Sequence, residues 1–171
     1  MAAWCNITFD YSNPLTYAPI YQNGKKVTDL VIPEGVTHIN NFAFYGCTCL
    51  TSVSFPNSLT EIGKYAFSFC NGLTSVYSLN TVPPTVDSYC FDDAQCQAAT
   101  LYVPRTALET YRTTDPWLNF VNMEGIDVSG IKGINADDNG KRNIYYDMSG
   151  RKFNEPKVGL NIINGKKVLV K

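Results

Sequence analysis

One pattern of residues is written twice in this chain, and it restricts the available folds more than any other feature. Thr28, Pro33, Thr37, Ile39, Ala43, Phe44, Cys47 and Leu50 return as Thr51, Pro56, Thr60, Ile62, Ala66, Phe67, Cys70 and Leu73, each displaced by 23 residues. A unit of this length cannot bury its own apolar face, so successive units must stack as coils, each contacting its neighbours. The core is therefore expected to grow by stacking.

Within a coil, alternation along the strand segment points Leu30, Ile32, Val53 and Phe55 inward and Asp29, Val31, Ser52 and Ser54 outward. Pro33 and Pro56 close the strand, since proline cannot donate to a ladder. A second short extended piece carries Val36, Ile39, Leu59 and Ile62. Phe42-Ala43-Phe44 or Tyr65-Ala66-Phe67 then leads through Cys47 or Cys70 to Leu50 or Leu73 in a compact turn. A third coil shows in Thr74-Ser75-Val76, Val86 and Tyr89-Cys90-Phe91, with one extra residue around Pro83-Pro84. Leu101-Tyr102-Val103-Pro104 matches Val53-Ser54-Phe55-Pro56 and supplies a fourth strand.

The flanks read differently. Residues 1–19 are an irregular entry, expected to be cut from an upstream part, and Asn23-Gly24 is expected to form a type I′ hairpin turn. Residues 20–126 form the solenoid, closed at 104–126 by a cap with a short helix that starts at Thr106 as N-cap. Residues 127–142, rich in Gly, Asp and Asn, are the linker, and residues 143–171 a small β-rich module with a turn at Ser149-Gly150 and a second hairpin at Asn164-Gly165. The fold class is mainly β: a right-handed leucine-rich-repeat solenoid of about four coils with a helical C-terminal cap and a small C-terminal β-module.

Composition removes several functions. With 14 Lys+Arg against 15 Asp+Glu, the chain lacks the basic footprint that nucleic acid or an anionic membrane requires. No stretch approaches the roughly 20 apolar residues of a membrane span, and the start, Met1-Ala2-Ala3-Trp4, shows no signal peptide. Trp4 is too bulky for a lipidation processing site before Cys5. The six cysteines include no C-x-x-C pair, so neither a disulfide scaffold nor a zinc site is expected.

The chemistry-bearing residues have bland readings. His38, the single histidine, shares its slot with Glu61 between apolar anchors and reads as a solvated surface residue. Cys47 and Cys70 stand one strand spacing apart, about 4.7–4.9 Å, within disulfide reach, yet sit among Ala, Phe and Leu and read as buried thiols. Cys47, Cys49 and Cys70 are not expected to bind metal, and Asp137-Asp138-Asn139-Gly140 lacks the distal Glu of a calcium loop. No catalytic residue and no cofactor are assigned. The surface with functional promise is the aligned outward row Asp29, Val31, Ser52, Ser54, Ser75, Tyr77 and Tyr102, small hydroxyls flanked by aromatic anchors.

Residues 30–50 (LVIPEGVTHINNFAFYGCTCL), 53–73 (VSFPNSLTEIGKYAFSFCNGL), 101–111 (LYVPRTALETY) and 116–120 (PWLNF) resemble the BspA-type leucine-rich-repeat proteins of bacterial cell surfaces. The segment from Tyr146 to Lys167 resembles a C-terminal β-module of secreted proteins from anaerobic gut and oral bacteria. The resemblance implies an extracellular or surface-attached monomer that adheres to a host or microbial surface protein or a glycan. A purely structural role, as part of a longer repeat array, is the competing reading.

Overall fold

Buried backbone polar groups need partners, and in stacked coils the partner of each segment is the same segment one coil on. The computed structural model describes residues 1–5, 7, 18–22, 24–87, 89–126, 145–147, 152–153, 159–163 and 166–170, in two compact units, Met1–Glu124 and Gly125–Lys171.

The first unit opens with helix α1 (Ala2–Cys5) and the hairpin β1 (Tyr21–Gln22) to β2 (Lys25–Lys26), in which Tyr21 pairs with Lys26 and Gln22 with Lys25. Gly24 turns the chain with φ of +74°, a conformation only glycine adopts without cost; Asn23 lies outside the described residues. Then β3 (Asp29–Val31), β5 (Ser52–Phe55), β7 (Ser75–Ser78) and β9 (Thr100–Pro104) pair in parallel, with β10 (Asn122–Ile126) beside β9 at the edge. A second parallel sheet is formed by β4 (His38–Ile39), β6 (Glu61–Ile62) and β8 (Thr85–Val86). Ser52 lies opposite Ser75, 23 residues on, but Glu61 lies opposite Thr85, 24 residues on. The extra residue therefore falls between Ser78 and Thr85, where Pro83 and Pro84 stand.

The repeated residue types follow from this geometry. Thr51 and Thr74 each donate a hydroxyl to the carbonyl of the threonine one coil earlier, Thr28 or Thr51, both at 3.1 Å. Thr60 and Thr85 do the same to Thr37 and Thr60 at 2.9 and 3.0 Å. The turns are bridged too: the amide of Phe44 donates to the Ala66 carbonyl at 2.8 Å, and that of Phe67 to Cys90 at 3.0 Å. Behind them the rings of Phe44, Phe67 and Phe91 stack, centroids 5.1 and 5.6 Å apart and planes within 13° and 10°. Phe44 and Phe67 are fully buried, each contributing about 1.5–3 kcal/mol by transfer. Close approach also dictates Gly72, where a Cβ would meet the Thr48 carbonyl oxygen at 2.6 Å.

Both ends of the stack need substitutes for a missing coil. At the start, Cys5 takes that place: its carbonyl accepts from the Asn40 amide at 2.9 Å, as Ile39 accepts from Gly63 one coil on at 2.7 Å. The Trp4 indole donates to the Ala43 carbonyl. The rest of the expected irregular entry, residue 6 and residues 8–17, lies outside the described residues.

At the other end, helix α2 (Asp93–Ala98), which sequence reasoning did not anticipate, begins with a reciprocal capping box between Asp92 and Gln95. Gln95, 3 % exposed, turns its side-chain amide to the carbonyls of Phe67 and Cys70 at 2.9 and 3.2 Å, adding a second donor to acceptors that already take the Cys70 and Leu73 amides and giving its own buried amide partners. Within residues 104–126 the helix also differs from expectation. Arg105–Ala107 is a 3₁₀ turn and helix α3 spans Leu108–Thr113, so Ala107, not Thr106, stands at its N-cap, without a side-chain cap bond. Pro104 sets this shift by ending the strand directly before the turn. Tyr111 and Trp117 are buried there, the phenol bonded to Ser78 at 2.7 Å and the indole donating to the Pro84 carbonyl at 2.8 Å.

The second unit contains β11 (Tyr145–Asp147), β12 (Lys152–Phe153), β13 (Gly159–Ile163) and β14 (Lys166–Val170), an antiparallel sheet in the order β12-β11-β13-β14. The expected linker 127–142 and the turn residues Ser149, Gly150, Asn164 and Gly165 lie outside the described residues.

Two substitutions separate stacking from spacing. Phe67→Ala is expected to lower unfolding free energy by about 3–5 kcal/mol through the cavity it leaves, and Gly72→Ala by about 1–3 kcal/mol through overpacking, both read from urea titrations of the full chain.

Candidate functional site

Parallel, in-register pairing turns alternate strand residues into rows. Asp29, Ser52 and Ser75 form one, and Val31, Ser54, Tyr77 and Tyr102 the next. The rings of Tyr77 and Tyr102 stack at 4.8 Å with planes 13° apart. Burial raises the Tyr77 phenol above its ordinary pKa, the neighbouring Tyr102 adds to this, and a bond from Ser75 opposes it.

The row is not uniformly available. Asp29 accepts from Ser52 at 2.6 Å and from Thr51 at 3.3 Å through one oxygen, and from Thr28 at 3.0 Å through the other. Its carboxylate thus ties β3 to β5. Ser54, expected among the outward contacts, is only 2 % exposed, and its hydroxyl has no hydrogen-bond partner among the described residues. Its register neighbours are Val31 and Tyr77, side chains long enough to cover a serine between them. Asp29, Val31, Ser52, Ser75, Tyr77 and Tyr102 are all partly exposed; of these, Asp29 and Ser52 are bonded to each other, and Tyr77 and Tyr102 present stacked rings.

A second surface went unrecognised in the sequence. On the turn side of the coils, Phe42, Tyr65 and Tyr89 stack in succession, with centroids 5.2 and 5.5 Å apart. Tyr45 meets Tyr65 and Phe69 edge-on at 6.4 and 5.3 Å, and the Lys64 ammonium lies 5.1 Å from the Tyr65 ring centre. Tyr89 is 65 % exposed and Phe69 43 %. Phe42, Tyr65, Phe69 and Tyr89 all have φ between 56° and 62°, the left-handed region that costs a bulky residue about 1–2 kcal/mol. Among the described residues they are the only non-glycine positions with such a backbone. The available signal was an aromatic residue preceding the Ala-Phe or Cys-Phe pair in every coil, but the strand periodicity says nothing of where a turn residue faces.

The titratable groups converge less. His38 and Glu61 lie in register on β4 and β6, 3.3 Å apart and both more than half exposed, while His38 Nδ1 lies 2.8 Å from the Thr37 hydroxyl. An open cavity of about 470 Å³ beside Asn80 and the Val82–Pro84 loop is lined by Leu, Val, Pro, Thr and Asn side chains, with no titratable group. Among the described residues no cluster of three His, Cys, Asp or Glu side chains is placed to hold a metal ion. Asp137, Asp138, Asn139 and Gly140 lie outside them.

A family model described as "BspA type Leucine rich repeat region (6 copies)" matches residues 17–114. No curated protein and no solved structure shows a significant match to the chain.

All six cysteines are free thiols, five of them buried and Cys49 half-buried. Cys70 donates to the Phe44 carbonyl at 3.1 Å, which uses the thiol as a coil-to-coil donor instead of a disulfide partner. Burial raises Cys47 from an ordinary 9.0 to about 12 and Cys96 to about 11, and pushes Cys70 and Cys90 up further. Below pH 9 these thiols are protonated in both folded and unfolded chains. Above it the unfolded chain releases protons that the folded chain retains, so stability falls as pH rises from 9 toward 12. The urea midpoint at pH 10 is expected to lie below that at pH 8, and iodoacetamide at pH 8 to modify Cys49 well before Cys47 or Cys70 in the folded chain, as read by peptide mass spectrometry.

Proposed function

Since the chain belongs to the BspA-type leucine-rich-repeat family, we propose that it is a non-catalytic recognition module, extracellular or at the bacterial cell surface, that binds a protein or a glycan through the outward face of its strands. The observation carrying this reading is the stacked Tyr77–Tyr102 pair beside Ser75. Two rigid rings held by successive coils offer contact area at little conformational cost, and the serine adds a polar neighbour. Asp29 and Ser52 flank this core as a mutually bonded pair, and Val31 and Ser54 continue the row of Tyr77 and Tyr102. A host or microbial surface protein or a glycan fits the chemistry better than nucleic acid, given the near balance of charge. No helix among the described residues is long and apolar enough to cross a membrane.

The test is the Tyr77→Ala, Tyr102→Ala double variant, applied with the parent chain to immobilised fibronectin, laminin, collagen and mucin-type glycans. The expected result is binding by the parent to at least one surface and a loss of at least about 30-fold in the variant, the size of a hot-spot deletion. Equal binding by both chains overturns the strand face as the contact, and no binding by the parent favours a structural spacer within a longer repeat array.

A further inference from the structure

We infer that the aromatic ridge on the turn side of the coils is a second binding site, separate from the strand face, and that its ligand is a neutral pyranose chain. The ridge is formed by Phe42, Tyr45, Tyr65, Phe69 and Tyr89, and two independent features set it apart from ordinary surface. First, four of these five residues hold the left-handed backbone that glycine would adopt freely. An exposed turn has no steric need for a ring there, and such strain persists where something other than the local backbone demands the side chain. Second, the stack ends in an exposed ring. One face of Tyr89 lies on Tyr65 with planes 13° apart, while the residue as a whole is 65 % exposed. This leaves a flat platform at the end of a ladder whose steps are 5.2 and 5.5 Å.

Size and charge select the occupant. A fully exposed aromatic side chain presents about 150–250 Å², and three of these five are less exposed than Phe69 or Tyr89. The ridge therefore offers a few hundred Å², well short of the roughly 800 Å² per partner in a standard protein interface, but comparable to a few sugar rings. Polar groups at its margins are mixed: the Lys64 ammonium lies over Tyr65, and Asp93 is exposed next to Asp92, which accepts from the Phe69 amide at 3.0 Å. Charges of both signs beside a ridge that includes three tyrosines do not suit a polyanion. They suit hydroxyl groups, which donate and accept, while the axial C–H bonds of a pyranose, partly positive at hydrogen, lie against the negative face of an aromatic ring.

The experiment titrates the full chain with cellohexaose, xylohexaose, maltohexaose and a sulfated heparin hexasaccharide, by calorimetry and through the tyrosine ring proton signals. Saturable binding of at least one neutral hexaose is expected, with shifts at Tyr65 and Tyr89. Tyr89→Gly, which removes the ring and suits the backbone, is expected to keep its far-UV spectrum and weaken that binding by about tenfold or more, whereas Tyr89→Phe keeps it. Tyr77→Ala with Tyr102→Ala leaves it unchanged, so failure of the strand-face reading and failure of this one are distinguishable. The inference is overturned if the parent binds no neutral hexaose, if it prefers the heparin fragment, if the Tyr65 and Tyr89 signals do not move, or if a folded Tyr89→Gly binds as the parent does.

Discussion

Everything in the first unit depends on the step between coils. The main-chain bonds that join β3 to β5 and β5 to β7, and those joining Phe44 to Ala66 and Phe67 to Cys90 through the turns, hold equivalent residues near the strand spacing of about 4.8 Å. Whatever occupies a repeated slot must then stack on a copy of itself at that distance. Flat phenylalanine rings do so at 5.1 and 5.6 Å, and threonine does so by donating to the carbonyl of its own predecessor. Gly72 is required because nothing larger clears the previous coil. The repeat is thus a list of side chains that tolerate self-stacking.

A stack solved in its interior is unsolved at its ends, and the two ends use different chemistry. At the start, Cys5 and Trp4 reproduce contacts that an earlier coil would make, one through a carbonyl and one through an indole donor. At the far end, Gln95 adds a side-chain donor to the Phe67 and Cys70 carbonyls of the preceding turn, while Tyr111 and Trp117 fill the space beside Phe55 and Phe91 and bond their polar atoms to Ser78 and Pro84. Gln95, Tyr111 and Trp117 have no like residue 23 positions away in the coil before. Their long-range partners are invisible to periodicity, which is why α2 escaped sequence reading although its Asp92–Gln95 capping box is a local signal.

The same in-register rule that builds the core also builds surfaces, and it does so on more than one side. On the strand side it delivers the Tyr77–Tyr102 pair, yet it also draws Asp29 into a network with Thr28, Thr51 and Ser52. On the turn side it delivers the ladder from Phe42 to Tyr89 at backbone angles unfavourable for aromatic residues. Rows that look equivalent in the alignment of coils therefore differ in what they leave for a partner.

The 23-residue spacing by itself determined the stacked coils, the inward set from Leu30 to Leu73, the buried state of Cys47 and Cys70 and the position of the extra residue near Pro83, because each follows from alternation and self-stacking along one segment. Tertiary structure alone decided which outward residues are accessible. Ser54 points outward by alternation and is nonetheless covered, since exposure depends on how far Val31 and Tyr77 reach across from neighbouring strands. It also decided where Tyr65 and Tyr89 face, because a left-handed turn residue obeys no period-two rule, and these rings lie where they stack on the rings of neighbouring coils.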